Sequence, residues 1–184
     1  MKVHEVMTGD VESCDPGTDL AAAAMIMWRR NCGVVPIVER GTNQALGVIT
    51  DRDICMALAT RHRRACDISV GEVFAGTLHA CRPDDDIQLA LEIMRTRQVR
   101  RVPIVDADGR LLGILSLNDL MLRGQTPAPG RRAKIADDDL LDVMRAICEP
   151  AAAEAAPARP ARRRTHSSVS QTSRAPSPAY ARRR

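Results

Sequence analysis

Two short stretches hold the residue types from which a site can be made. Residues 50–53 read Thr-Asp-Arg-Asp and residues 116–119 read Ser-Leu-Asn-Asp, so a hydroxyl, two spacers and an aspartate occur twice. Each follows an apolar run, Gly47-Val48-Ile49 in one case and Gly113-Ile114-Leu115 in the other. At the start of a helix, Thr50 or Ser116 caps free N–H groups, and Asp53 or Asp119 three residues on completes a capping box. Acids also suit the positive end of the helix dipole. The same pair suits a ribose-phosphate. A helix start attracts phosphate, a hydroxyl donates to a phosphate oxygen, and a carboxylate accepts from two vicinal ribose hydroxyls. Recurrence of the motif favours binding, and capping coexists with it.

Other chemistry finds little to work with. There is no nucleophile elbow, no Walker loop and no metal-ligating cluster, so the chain is not expected to be an enzyme and no metal site is assigned. The cysteines at 14, 32, 55, 66, 81 and 148 include no CxxC pair, and the histidines at 4, 62, 79 and 166 lack metal spacing. Cys14 and Cys81 stand at matching places, in "SCDP" and "ACRP", and read as small buried side chains before a turn. The aspartate runs at 84–86 and 137–139 read as solvated acids at helix starts.

The elements that must position the two motifs form an internal repeat. At an offset of 67, Val6 pairs with Val73, Pro16 with Pro83, Pro36 with Pro103 and Val38 with Val105. One extra loop residue then makes the offset 66, which pairs Asp53 with Asp119. Each unit reads as strand, helix, strand, strand, helix. A short apolar stretch comes first. Helices are predicted at 20–30 and 87–97, behind the polar caps "PGTD" and "PDDD". In the second of these, Leu89, Ile93, Met94 and Val99 are expected to share a face. Strand pairs "VVPIV"/"LGVIT" and "RVPIV"/"LLGIL" are joined by Gly-containing turns, and helices at 51–62 and 117–123 close the units. The predicted architecture is α/β (α+β), with tandem β-α-β-β-α repeats at 1–65 and 66–123 related by a pseudo-twofold axis. Residues 124–149 are a Pro/Gly/basic linker and a short amphipathic helix over 137–148, with Leu140, Met144 and Ile147 on one side. Residues 150–184, rich in Ala, Pro, Ser and Arg without periodicity, are expected to be disordered.

The 184 residues are 45% hydrophobic but only 2% aromatic, so the core must be aliphatic. From residue 150 onward there are eight arginines and one glutamate, a net of +7, which leaves −3 of the chain's +4 for residues 1–149. The basic character belongs to the tail. No apolar run nears the roughly 20 residues of a bilayer span and no signal peptide opens the chain. A cytoplasmic protein without membrane contact is expected.

The tandem units, with "PIV", "GVITDRD" and its echo "GILSLND", resemble the CBS-domain family, named for cystathionine beta-synthase. The resemblance covers about two thirds of the chain and implies a Bateman module, a pair of domains that senses adenosine-type ligands and often dimerises into a flat disk. It implies that Asp53 and Asp119 hold ribose, with Thr50 and Ser116 near phosphate and Arg52 and Asn118 beside them. It further implies clefts shared between repeats. Thr50 and Asp53 would face Arg100, Arg101 and Pro103, while Ser116 and Asp119 would face Gly33, Val34 and Pro36. Cys14, Asp15, Cys81 and Arg82 would approach the base. No cofactor is required, and the implied ligand is AMP, ADP or ATP, with S-adenosylmethionine and NAD as further candidates.

Three functions compete. One is a regulatory adenine-nucleotide sensor acting on an effector protein. Another is a nucleic-acid-associated protein, whose arginine tail makes nonspecific, salt-dependent phosphate contacts. The third is a structural subunit with empty sites. A homodimer is expected from apolar helix sides carrying Met56, Leu58, Leu120 and Leu122.

Overall fold

The computed structural model describes residues 1–74, 76–123 and 135–149. The expected linker at 124–134 and tail at 150–184 lie outside the described residues. Five α-helices and four strands are described: α1 Leu20–Arg29, β1 Val34–Val38, β2 Ala45–Thr50, α2 Asp51–Arg61, α3 Ile87–Arg97, β3 Arg101–Val105, β4 Leu111–Ser116, α4 Leu117–Arg123 and α5 Asp137–Cys148. This is the expected mixed α/β repeat.

Local chemistry explains the boundaries. Asp19 caps α1 by accepting from the Ala22 N–H, and Asp86 does the same for α3 at Gln88. Asn31 and Gln98 follow the two helices at φ 47° and 52°, left-handed residues that let the chain turn back into a strand. In α3 the cap fixes the start at Ile87, and Ile87, Ala90, Leu91 and Met94 form the buried stripe. Leu89, expected on that face, is exposed instead. In α5 the buried residues are Leu140 and Val143, with Ile147 partly buried and Met144 outside.

β1 and β2 pair antiparallel, as do β3 and β4, so Val34 lies opposite Thr50 and Arg101 opposite Ser116. The opening strand of each repeat shrinks to one parallel bridge, Cys14 with Ile37 and Cys81 with Ile104. Pro16 and Pro83 explain this, because a proline two residues on has no N–H with which to extend the ladder.

The packing units are not the sequence repeats. Val3 and Val6 sit in the core of the second repeat, with Leu91, Met94, Ile104 and Leu115. Ile68 and Val70 sit in the core of the first, with Leu20, Ile37 and Ile49. Each repeat is thus completed by the stretch that leads into the other. Thr8 bridges Ile114 in β4, each residue's N–H donating to the other's carbonyl at 2.9 Å. Gly113 permits that approach, since any Cβ there would collide with the Thr8 carbonyl oxygen. Aliphatic side chains fill both cores, and no polar or charged residue is buried among the described residues. No helix among them is long and apolar enough to cross a membrane.

Candidate functional site

Both hydroxyl-x-x-aspartate motifs form capping boxes. The Thr50 backbone N–H and hydroxyl both donate to Asp53 Oδ2, at 2.9 and 2.7 Å, and the Asp53 N–H donates back to Thr50 Oγ1 at 3.2 Å. Ser116 and Asp119 repeat the pattern. The Ser116 N–H donates to Asp119 Oδ2 at 2.9 Å, its hydroxyl donates to the same oxygen, and the Asp119 N–H returns to Ser116 Oγ at 3.1 Å. The hydroxyl protons are therefore committed to the carboxylates. The start of α2 is also closed to an anion. Its Asp51 N–H donates to the Gly33 carbonyl, its Arg52 N–H to Asp51 Oδ1, and its Asp53 N–H to Thr50. Each cap leaves one carboxylate oxygen unused by the box.

Those second oxygens differ. Asp53 Oδ1 has no hydrogen-bond or ion-pair partner among the described residues. Asp119 Oδ1 accepts from the Thr8 hydroxyl at 3.2 Å and lies 3.8 Å from the Arg123 guanidinium. The sequence position matching Thr8 is Ala75, which has no hydroxyl.

Asp119 opens onto a cleft of about 370 Å3. Ser116, Asn118 and Asp119 form one wall, Val34, Pro36 and Ile26 another, and Thr8, Asp10, Val11, Glu12, Arg30, Asn31 and Cys32 the rim, with Ile114 and Arg101 completing it. Such a volume suits a small ligand. Arg30 is held by Asp10 at 3.1 Å and Glu12 at 3.2 Å, and these acids raise its pKa further. Arg101 is half-buried and has no ion pair among the described residues.

The remaining sequence candidates separate. Arg101, expected opposite Thr50 and Asp53, lines the Ser116/Asp119 cleft, because the antiparallel register sets it across from Ser116. Arg100 is exposed and lines a smaller hollow of about 180 Å3 with Arg101, Ser116, Asn118 and Met144 of α5. Gly33 does not reach Asp119. It lies with Asp51 in a hollow between α1 and α2 that Arg101 also borders. Pro103 is buried within β3 and its carbonyl accepts from Cys81. Arg52 is exposed. Cys14 and Asp15 line a different surface hollow, with Val38 and Arg40, and Arg82 is exposed with its N–H turned to Asp85. The thiols of Cys14 and Cys81 are pushed up to about 11, chiefly by burial, with Asp15 and Asp85 adding to the effect. They are protonated, packed side chains. Thr8, Asp10, Val11 and Glu12 were missed by sequence reasoning. Their only signal is that they lead into the first repeat as residues 75–79 lead into the second.

Comparison with known proteins identifies this arrangement. The family model "CBS domain" matches residues 3–60 and 70–124. The chain belongs to the CBS domain family and carries a pair of such domains. It is similar to the CBS domain-containing protein YhcV of Bacillus subtilis, 36% identical over 118 residues, covering 64% of this chain and 81% of that one. Among solved structures, the CBS domain pair of protein MJ0100, in complex with 5-methylthioadenosine and S-adenosyl-L-methionine, superposes with TM-score 0.60 at 22% identity over 66% of this chain and 93% of that one. CBSX2 in complex with AMP does so with TM-score 0.56 at 22% identity over 65% and 92%. At these identities the two structures speak for the fold.

Proposed function

We propose that the chain is a non-catalytic regulatory module that binds an adenine nucleotide in the Ser116/Asp119 cleft and passes the ligand state to an effector protein. The observation that carries this reading is Arg101, a half-buried guanidinium without an ion pair, in the same cleft as an aspartate whose second oxygen is held mainly by a rotatable hydroxyl. The two charges divide a nucleotide between them. Asp119 Oδ1 accepts from ribose hydroxyls once Thr8 turns away. Arg101 offers forked, permanently charged donors to phosphate, a task the committed Ser116 hydroxyl does not perform. Val34, Pro36, Ile26 and Ile114 supply apolar walls for the base. Solved CBS pairs with adenosine-type ligands, MJ0100 and CBSX2, support the class of ligand.

The output is argued from the same arginine. Arg101 also borders the hollow that contains Met144 of α5, so a phosphate that draws Arg101 into the cleft removes it from beside that helix. Binding shifts an equilibrium only by what differs between two states, and the position of this side chain is such a difference.

Calorimetry with AMP, ATP, S-adenosylmethionine and adenosine tests the reading. AMP or ATP is expected to bind more tightly than adenosine by on the order of ten- to a hundredfold, the value of a charged hydrogen-bonding partner. Arg101→Ala is expected to erase that difference and leave adenosine unchanged. Retention of tight AMP binding by Arg101→Ala, or absence of binding by all four compounds, overturns it.

A further inference from the structure

The Ser116/Asp119 cleft is lined by two guanidiniums, Arg30 and Arg101, and they are in different states. Arg101 has no ion pair among the described residues. Arg30 is engaged twice. Its Nη1 donates to Asp10 Oδ2 at 3.1 Å and its Nε to Glu12 Oε2 at 3.2 Å, while neighbouring Arg29 donates to Glu12 Oε1 at 2.5 Å. Arg123, 3.8 Å from Asp119, donates to the Val6 and Met7 carbonyls at 3.3 and 3.2 Å. Two acids and two arginines thus form a neutral network at the rim. Arg101 is left as the cation of the cleft without a carboxylate partner.

The two acids sit on a short segment fixed at both ends. Thr8 exchanges backbone bonds with Ile114 at 2.9 Å. At the other end the Cys14 N–H donates to the Pro36 carbonyl at 3.0 Å, and the Cys14 carbonyl accepts from Val38 at 2.8 Å. Glu12 is 33% exposed and Asp10 86%, so Glu12 is the less screened partner and holds Arg30 the more firmly.

One phosphate needs one cation, and Arg101 supplies it. A second and third phosphate add negative charge to a cleft whose other guanidinium is already paired and whose rim carries two carboxylates. To gain Arg30 they must break two charge-assisted bonds. Setting like charge against a competing ligand is one of the two ways a site discriminates. Size agrees, since about 370 Å3 lies near the lower end of ligand pockets, which span about 300–1,000 Å3. We infer that Asp10 and Glu12 are specificity residues, which by holding Arg30 make the cleft select a nucleoside monophosphate over the di- and triphosphate. The inference rests on the nucleotide reading of this cleft.

Calorimetry of the full chain with AMP, ADP and ATP tests this, in magnesium-free buffer so that no cation masks the phosphates. The parent chain is expected to bind AMP about fivefold or more tightly than ATP. Asp10→Asn/Glu12→Gln keeps acceptor oxygens beside Arg30 but removes both negative charges. It is expected to shift the AMP-to-ATP ratio toward ATP by about tenfold or more. Adding Arg30→Ala to that pair is expected to cancel most of the shift. Exposed ion pairs add little to stability, so the double variant is expected to fold. The inference alone is overturned if the parent chain binds ATP as tightly as AMP while Arg101→Ala weakens both. A double variant that keeps the parent ratio overturns it as well. If no nucleotide binds, or if Arg101→Ala leaves AMP as tight as before, the nucleotide reading falls and this inference falls with it.

Discussion

Two substitutions at Asp119 separate the cap from the binding site. Asp119→Ala removes the acceptor of both Ser116 donors and of the Thr8 hydroxyl. Loss of a capping partner costs about 0.5–2 kcal/mol. Ser116 is only half-buried, so water partly replaces the missing acceptor, and about 1–2 kcal/mol is expected, a fall in melting temperature of roughly 3–8 °C. Asp119→Asn keeps a carbonyl oxygen where Oδ2 accepts from Ser116. Its amide nitrogen takes the place of Oδ1, and the Thr8 hydroxyl turns to accept from it. The Arg123 contact at 3.8 Å is solvent-exposed and weak, so the expected loss is below about 1 kcal/mol. The nucleotide meets the opposite situation. A carboxylate oxygen that accepted from ribose becomes a donor, and affinity is expected to fall by about ten- to a hundredfold in both variants. Melting curves and calorimetry with AMP therefore part company for Asn and agree for Ala. If Asn destabilises as much as Ala, the carboxylate charge and not acceptor geometry holds the cap. If Asn binds AMP like the parent chain, Asp119 does not touch the ribose.

Gly113→Ala forces the Thr8 carbonyl away from β4 and is expected to cost about 1–3 kcal/mol in thermal or chemical unfolding. Gly47→Ala should cost less, because its Cβ meets a Phe74 ring carbon at 3.3 Å and a side chain yields more readily than backbone. The thiols of Cys14 and Cys81, held up to about 11 from an ordinary 9.0, keep their protons more tightly in the folded chain. Their contribution to stability is complete below pH 9 and is lost as the pH rises toward 11. Melting temperatures should fall across that interval, and less steeply in a Cys14→Val/Cys81→Val variant. At pH 8, iodoacetamide should label exposed Cys66 and Cys148 and spare both buried thiols.

The helices were legible because their starts are written in side chains. Asp19, Asp86 and Thr50 cap where a cap is expected, and α3, α4 and α5 begin and end where the pattern places them. The strand pairs followed from "VVPIV" and "RVPIV" and the turns behind them. The opening strands were not legible as single bridges, since an apolar stretch reads alike whether or not a following proline interrupts its ladder. The exchange of leading segments was also hidden. A repeat offset states which residues correspond, but not whether Val3 packs with Leu20 or with Leu91. Thr8 consequently escaped notice as a partner of Asp119.

Arg101 shows most clearly where correspondence stops being informative. By offset it matches Val34, and both stand directly before the buried Val-Pro or Pro-containing core of their strands. Register sets Arg101 across from Ser116, and the fold brings Val34 into the same cleft from the other repeat. One cleft thereby receives a cation from its own repeat and an apolar wall from its partner repeat. The same Arg101 borders the hollow at Gly33 and Asp51, by the start of α2. In sequence the residue matching Thr8 is Ala75, which carries no hydroxyl. Unequal side chains at matching sequence positions go with different partners for the two carboxylates. Asp119 is held ready beside a cation. Asp53 keeps one oxygen unpartnered among the described residues. A ligand whose affinity depends on phosphate should therefore depend on Arg101, while one recognised by its ribose alone should not.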